Sequence, residues 1–168
     1  MKYLYSIDQK ITQELDQYIT AAGLREIYRL AITQYPNECC GLILQQGIRP
    51  CPNIQNQLHQ ADPLNYPRTA TSAFTFAAID ALFLSRNINS DNPVKIIYHS
   101  HPDVGAYFSH TDKINALYEG QPIYPVDHLV IDVQSNNVIC AKIFRFIEPE
   151  YTLIAILPGS NDQIFWWS

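Results

Sequence analysis

Residues 94–112 read VKIIYHSHPDVGAYFSHTD, and the first eight of them set the fold. Val94-Lys95-Ile96-Ile97-Tyr98 is rich in β-branched and aromatic side chains and suits a central strand. In a strand, residues two apart share a face, so His99 and His101 project together while Ser100 points the other way. A Pro/Gly loop follows. Ser109 then opens a helix predicted over 109–118 and ending near Gly120, with Ser109-x-x-Asp112 as its capping box.

Upstream of this strand, residues 11–18 carry a weak helical pattern. Residues 22–34 (AGLREIYRLAITQ) place Leu24, Ile27, Tyr28 and either Leu30 or Ala31 at helical spacing. Pro36 stops that helix, and CCGLIL (39–44) reads as a buried strand. Residues 50–70, rich in Pro, Asn and Gln, read as a loop with one edge strand, and a further helix is expected over 76–86. Downstream, DHLVIDV (127–133) and VICAKIFRF (138–146) flank the turn Ser135-Asn136-Asn137, and YTLIAIL (151–157) follows. Helices interleaved with hairpin-linked strands predict an α/β domain with a mixed β-sheet.

A chain of 168 residues favours one domain with a real core. Its 47% apolar and 16% charged residues argue against disorder. The net charge of -5, with no run of Lys or Arg, lacks the basic stripe that nucleic-acid binding needs. No stretch approaches the ~20 apolar residues that span a bilayer, so no membrane partner is expected. The cysteines at 39, 40, 51 and 140 form no disulfide framework, which suits reduced thiols and a cytoplasmic location.

The chemistry centres on His99, His101 and Asp112. Neutral imidazole is the commonest zinc ligand, and a carboxylate can complete three protein positions, leaving the fourth open as in catalytic sites. Asp112 follows His101 by eleven residues at the predicted helix start, a length that returns it to the strand end. Each feature has a plainer reading: a His-x-His pair is often two surface histidines, and Ser109 with Asp112 caps a helix. Glu38 is the residue these readings leave unexplained in combination. It sits between the Pro36 helix stop and an apolar strand, where a carboxylate can act as a general base toward a metal-activated water.

The series Glu38, His99-Ser100-His101-Pro102, Ser109 and Asp112 resembles the full JAMM (MPN+) motif: a distant Glu, then His-Ser/Thr-His, seven residues, Ser, two residues, Asp. The flank Tyr35-Pro36-Asn37-Glu38-Cys39-Cys40-Gly41 is similar to that of small prokaryotic members, and the resemblance covers about residues 18–146. A short N-terminal extension and a C-terminal aromatic tail lie outside it. The resemblance implies a JAMM/cytidine-deaminase-like fold, a mixed sheet wrapped by helices. It implies Zn2+ held by His99, His101 and Asp112, Glu38 as general acid/base, and Ser109 as hydrogen-bond donor to the oxyanion. Ser100 would be structural. A deaminase itself is excluded, because the chain has no His-x-Glu and no Pro-Cys-x-x-Cys.

The implied activity is hydrolysis of an amide bond after the C-terminal glycine of a ubiquitin-like or sulfur-carrier protein. A phage-tail or cell-wall peptidase and a non-catalytic MPN scaffold are the alternatives, and the intact ligand set argues against the scaffold. Outside the motif, His110 is expected to be exposed in the first helical turn. Cys39 and Cys40 are expected to be small buried residues opening a strand rather than thiolate ligands. His59 and His128 are expected to be structural or surface residues. Gly105 permits close backbone approach in the loop between ligands. The Phe165-Trp166-Trp167 end is expected to pack on its own domain.

Overall fold

The computed structural model describes residues 8–161. Helix α1 (Gln9–Leu15) is capped by Asp8, whose carboxylate accepts from the Lys10 amide. Helix α2 (Ala21–Gln34) is capped by Thr20 and buries Leu24, Ile27, Tyr28 and Ala31, the stripe its spacing predicts, with Ala31 rather than Leu30 inside. Strand β1 (Cys40–Leu44) is buried throughout, and β2 (Ile48–Cys51) returns beside it. Then come α3 (Gln55–Ala61), α4 (Ala78–Arg86) and β3 (Val94–Pro102). Helix α5 (His110–Ala116) leads into the short pair β4 (Leu117–Tyr118) and β5 (Gln121–Pro122). Strands β6 (Asp127–Gln134), β7 (Asn137–Ile147) and β8 (Glu150–Pro158) complete the chain.

Six strands form one sheet in the order β2-β1-β3-β6-β7-β8, so β3 is interior, as its composition predicts. The sheet is mixed: β3 pairs with β6 in parallel and the other neighbours are antiparallel. A parallel pair cannot be closed by a tight turn. The 103–126 crossover carries α5, and its first turn lies at the carboxyl end of β3.

Alternation along the strands gives each face its own core. Cys39 and Ile43 join Ile96, Tyr98, Leu129 and Ile131 under α2, where the 0% exposed Ile27 and Tyr28 close the layer. Burying each such side chain stabilises the fold by about 1.5–3 kcal/mol. Cys40, Leu42 and Leu44 face the opposite way with Ile97 and Leu84 of α4. His99 lies directly across from Cys40 and so belongs to this second face. Gly41 is required where it stands. A Cβ there would collide with the Tyr98 hydroxyl and come within 2.6 Å of the Arg49 carbonyl.

Two segments differ from expectation. Residues 55–61, read as loop, are helical because polar tertiary bonds hold them. The buried Gln55 donates to the Arg68 carbonyl at 2.8 Å and accepts from Thr75 Oγ1 at 2.7 Å. Nothing in QNQLHQA advertises this, since it lacks an apolar stripe. Helix α5 stops at Ala116 rather than near Gly120, because Leu117 and Tyr118 are taken up by pairing with Pro122 and Gln121. The Phe165-Trp166-Trp167 end and the first seven residues lie outside the described residues.

Candidate metal centre

The carboxyl end of β3 presents His99 (1% exposed) and His101 (4%) on one face. Their Nε2 atoms lie 3.0 Å apart. Asp112, in the first turn of α5, turns Oδ1 toward His99 Nε2 at 3.3 Å and Oδ2 toward His101 Nε2 at 3.4 Å. Zinc bonds of about 2.0–2.1 Å in tetrahedral geometry put neighbouring donor atoms about 3.3–3.4 Å apart. Two imidazoles and a carboxylate at these separations therefore fit such an ion, and among the described residues they form the cluster suited to a metal.

Each donor is held by its surroundings. The His101 Nδ1–H donates to the Gly105 carbonyl at 3.0 Å, which leaves the Nε2 lone pair facing the cluster. Gly105 offers that carbonyl from a left-handed conformation (φ 94) that suits glycine. His99 is fixed by packing instead, its ring stacked on Phe74 with centroids 4.6 Å apart. The capping box is present: Ser109 Oγ accepts from the Asp112 amide at 3.0 Å, and Asp112 Oδ2 accepts from the Ser109 amide at 2.8 Å. A hydroxyl that accepts this bond still has its own proton to donate. The cap thus leaves Ser109 free to act as a donor.

Charge follows geometry. Burial raises the Asp112 carboxyl, but the charges and hydrogen bonds of His99 and His101 outweigh it and leave it far below the usual carboxylate range. Burial lowers the His101 imidazole, yet Asp112 more than compensates and the group ends raised. Glu38 is 5% exposed, and burial raises its carboxyl against the opposing pull of His99 and His101. Its backbone is clamped on both sides. The Glu38 amide donates to the Ala70 carbonyl at 2.7 Å, and Asn53 Nδ2 donates to the Glu38 carbonyl at 3.0 Å.

Glu38, His101, Ser109 and Asp112 line one open cleft of about 400 Å³, with His99 in the wall behind it. The structure therefore brings all five residues singled out in the sequence together. Ser100 faces away from the cleft, and its Oγ accepts from the Cys39 amide at 2.8 Å. His110 is exposed, as expected for a first-turn side chain. Cys39 and Cys40 are buried, and burial pushes the Cys39 thiol up to about 11, which makes a thiolate ligand unfavourable. Three residues at the site had no signal in the sequence. Asn53 positions Glu38, Phe74 backs His99, and the buried His128 lines a second cavity beside the cluster.

The 20–146 stretch matches the family of prokaryotic homologs of the JAB domain, and the chain belongs to that family. The fold is also similar to the solution structure of protein DSY2949 from Desulfitobacterium hafniense, with a TM-score of 0.54 at 18% identity. That match covers 80% of this chain and 86% of the other. No sequence among curated proteins matches this chain. Strand β8 pairs with β7 beyond the matched stretch, so the sheet of this protein extends past it. Among the described residues, no helix is long and apolar enough to cross a membrane.

Proposed function

We propose that this protein is a zinc-dependent peptidase or isopeptidase that hydrolyses an amide bond after the C-terminal glycine of a ubiquitin-like or sulfur-carrier protein. The observation that carries the reading is a cluster of three metal donors, two of which line one cleft together with a buried carboxylate of raised pKa and a hydroxyl with a proton to donate. His99, His101 and Asp112 would hold Zn2+, which when bound would supply Lewis acidity enough to bring the pKa of a water to about 7. Glu38 accepts a proton from the attacking water as its oxygen bonds to the amide carbon. The same carboxyl returns that proton to the leaving nitrogen as the C–N bond breaks. Burial favours the protonated form of Glu38, so the residue can hold the proton between the two transfers. Ser109 donates to the oxygen on which negative charge develops.

An extended glycine tail suits the open cleft. Val104, Tyr107, Thr71 and Phe74 also line it, and a tail without side chains can lie among them. A folded carrier body would dock outside, and its binding energy would orient the scissile bond. The test compares a linear fusion of a ubiquitin-like protein ending in diglycine, the isolated tail peptide, and a cross-linked muropeptide. The expected result is cleavage after the terminal glycine of the fusion, with the bare tail much slower and the muropeptide untouched. Cleavage of the muropeptide alone would replace the carrier protein with a cell-wall peptide as substrate.

A further inference from the structure

His99 lines a second cavity of about 330 Å³, walled by Phe74, Phe76, Leu84, Phe108 and Tyr124. It adjoins the cleft directly, because Asp112 and Asn115 line both. His128 of β6 also lines this cavity. It is 7% exposed, packs at a tilt on Phe108 and edge-on against Tyr151, and makes no hydrogen bond among the described residues. An imidazole that lines a cavity without a protein partner can hydrogen-bond a ligand atom placed there.

We propose that this cavity is the subsite for the substrate residue that follows the scissile bond, and that it selects a tyrosine side chain, with His128 hydrogen-bonding the phenol. The assignment to the amine side rests on the function proposed above: the glycine tail occupies the open cleft, so the adjoining cavity, lined by the metal donors His99 and Asp112, receives what lies beyond the bond. The chemistry of the occupant rests on the cavity alone. Its walls are aromatic and aliphatic, matching a ring in area and in edge-to-face packing. Burial holds His128 down at about 3, so its ring is neutral at pH 7 and offers one donor and one acceptor. A phenol complements both. A lysine ammonium needs a carboxylate, and the one at the mouth, Asp112, is committed to His99, His101 and the Ser109 amide. A glycine would leave the cavity unfilled. The bond cleaved would therefore be a main-chain Gly–Tyr peptide rather than a lysine isopeptide.

Two measurements on the full-length, zinc-loaded protein at pH 7 test this. In the first, p-cresol, toluene and n-butylamine, side-chain analogues of Tyr, Phe and Lys, are titrated while the ring signals of the cavity residues Phe108 and Tyr124, which every variant keeps, are followed by NMR. We expect a saturable shift with p-cresol, binding tighter than toluene by roughly 2- to 10-fold for one neutral hydrogen bond, and no shift with n-butylamine. Ala81→Phe fills the cavity from α4 and should abolish binding. His128→Phe should erase the preference for p-cresol over toluene, and serves where the first variant does not fold. The absence of a saturable p-cresol shift would overturn the subsite, as would unchanged binding in a folded Ala81→Phe. The second measurement compares fusions with Tyr, Gly or Lys after the terminal glycine, and Tyr should give the highest kcat/KM. Equal values for the three would overturn the assignment to substrate. Saturable p-cresol binding with no fusion cleaved would support the subsite and count against the hydrolase reading instead.

Discussion

Replacing Ser100 with alanine removes one oxygen, yet the structure makes that oxygen the link between the strand carrying the ligands and the segment carrying Glu38. Ser100 is 0% exposed and Cys39 1%. The Cys39 amide donates to Ser100 Oγ at 2.8 Å, and the Ser100 amide donates back to the Cys39 carbonyl at 3.0 Å. Ser100→Ala leaves the second bond intact and strands the Cys39 N–H where water cannot reach it. An unsatisfied buried donor costs about 1–3 kcal/mol. For a chain of this length each kcal/mol lowers Tm by about 2–4 °C, so the expected drop is roughly 2–12 °C. The assay is thermal unfolding by circular dichroism in the presence of a chelator, which keeps metal binding out of the comparison. Ser85→Ala serves as control, because that hydroxyl bonds the Leu82 carbonyl at an exposed position and should stay within about 0.5 kcal/mol of the parent. Because Glu38 adjoins Cys39, turnover of the zinc-loaded variant should fall even though every ligand is present. A Tm equal to that of Ser85→Ala would refute the reasoning.

Glu38→Gln keeps the size of the side chain but removes the base, so turnover of a cleaved fusion should drop at least ~100-fold in a steady-state assay while zinc stays bound. Ser109→Ala should slow turnover by roughly 10- to 1000-fold, and should cost about 1 kcal/mol of stability in urea titrations through the lost cap. His128 gives a pH signature: its folded value of about 3 lies below its ordinary 6.5, so between these values the unfolded chain binds the extra proton. Stability should therefore fall as pH drops from 6.5 toward 3, by up to ~1.4 kcal/mol per pH unit from this group, and His128→Phe should flatten that slope in urea midpoints.

Much of this arrangement was legible because it is local. Alternation along Val94–Pro102 told which side chains share a face, and the Ser109-x-x-Asp112 box fixed where α5 begins. The spacing from Glu38 to Asp112 connected distant positions through a motif. What stayed hidden depends on contacts between remote parts of the chain. Helix α3 owes its shape to Gln55 reaching Arg68 and Thr75, and no periodicity records such bonds. Asn53 holds Glu38 from a stretch that reads as loop. His128 sits in a strand whose residues are nearly all buried, so alternation could not say which face it joins. Only the parallel pairing of β3 with β6, which puts His128 beside Ile97, brings it to the cavity next to His99.

The proposed hydrolysis requires that His99, His101 and Asp112 hold one zinc ion. Metal analysis of the purified protein after zinc reconstitution and removal of excess ion measures this directly. The expected content is about one zinc per chain in the parent and in Glu38→Gln, and none in the folded His99→Ala, His101→Ala double variant. A parent protein that stays metal-free after reconstitution, or a double variant that binds zinc as well as the parent does, would contradict the account.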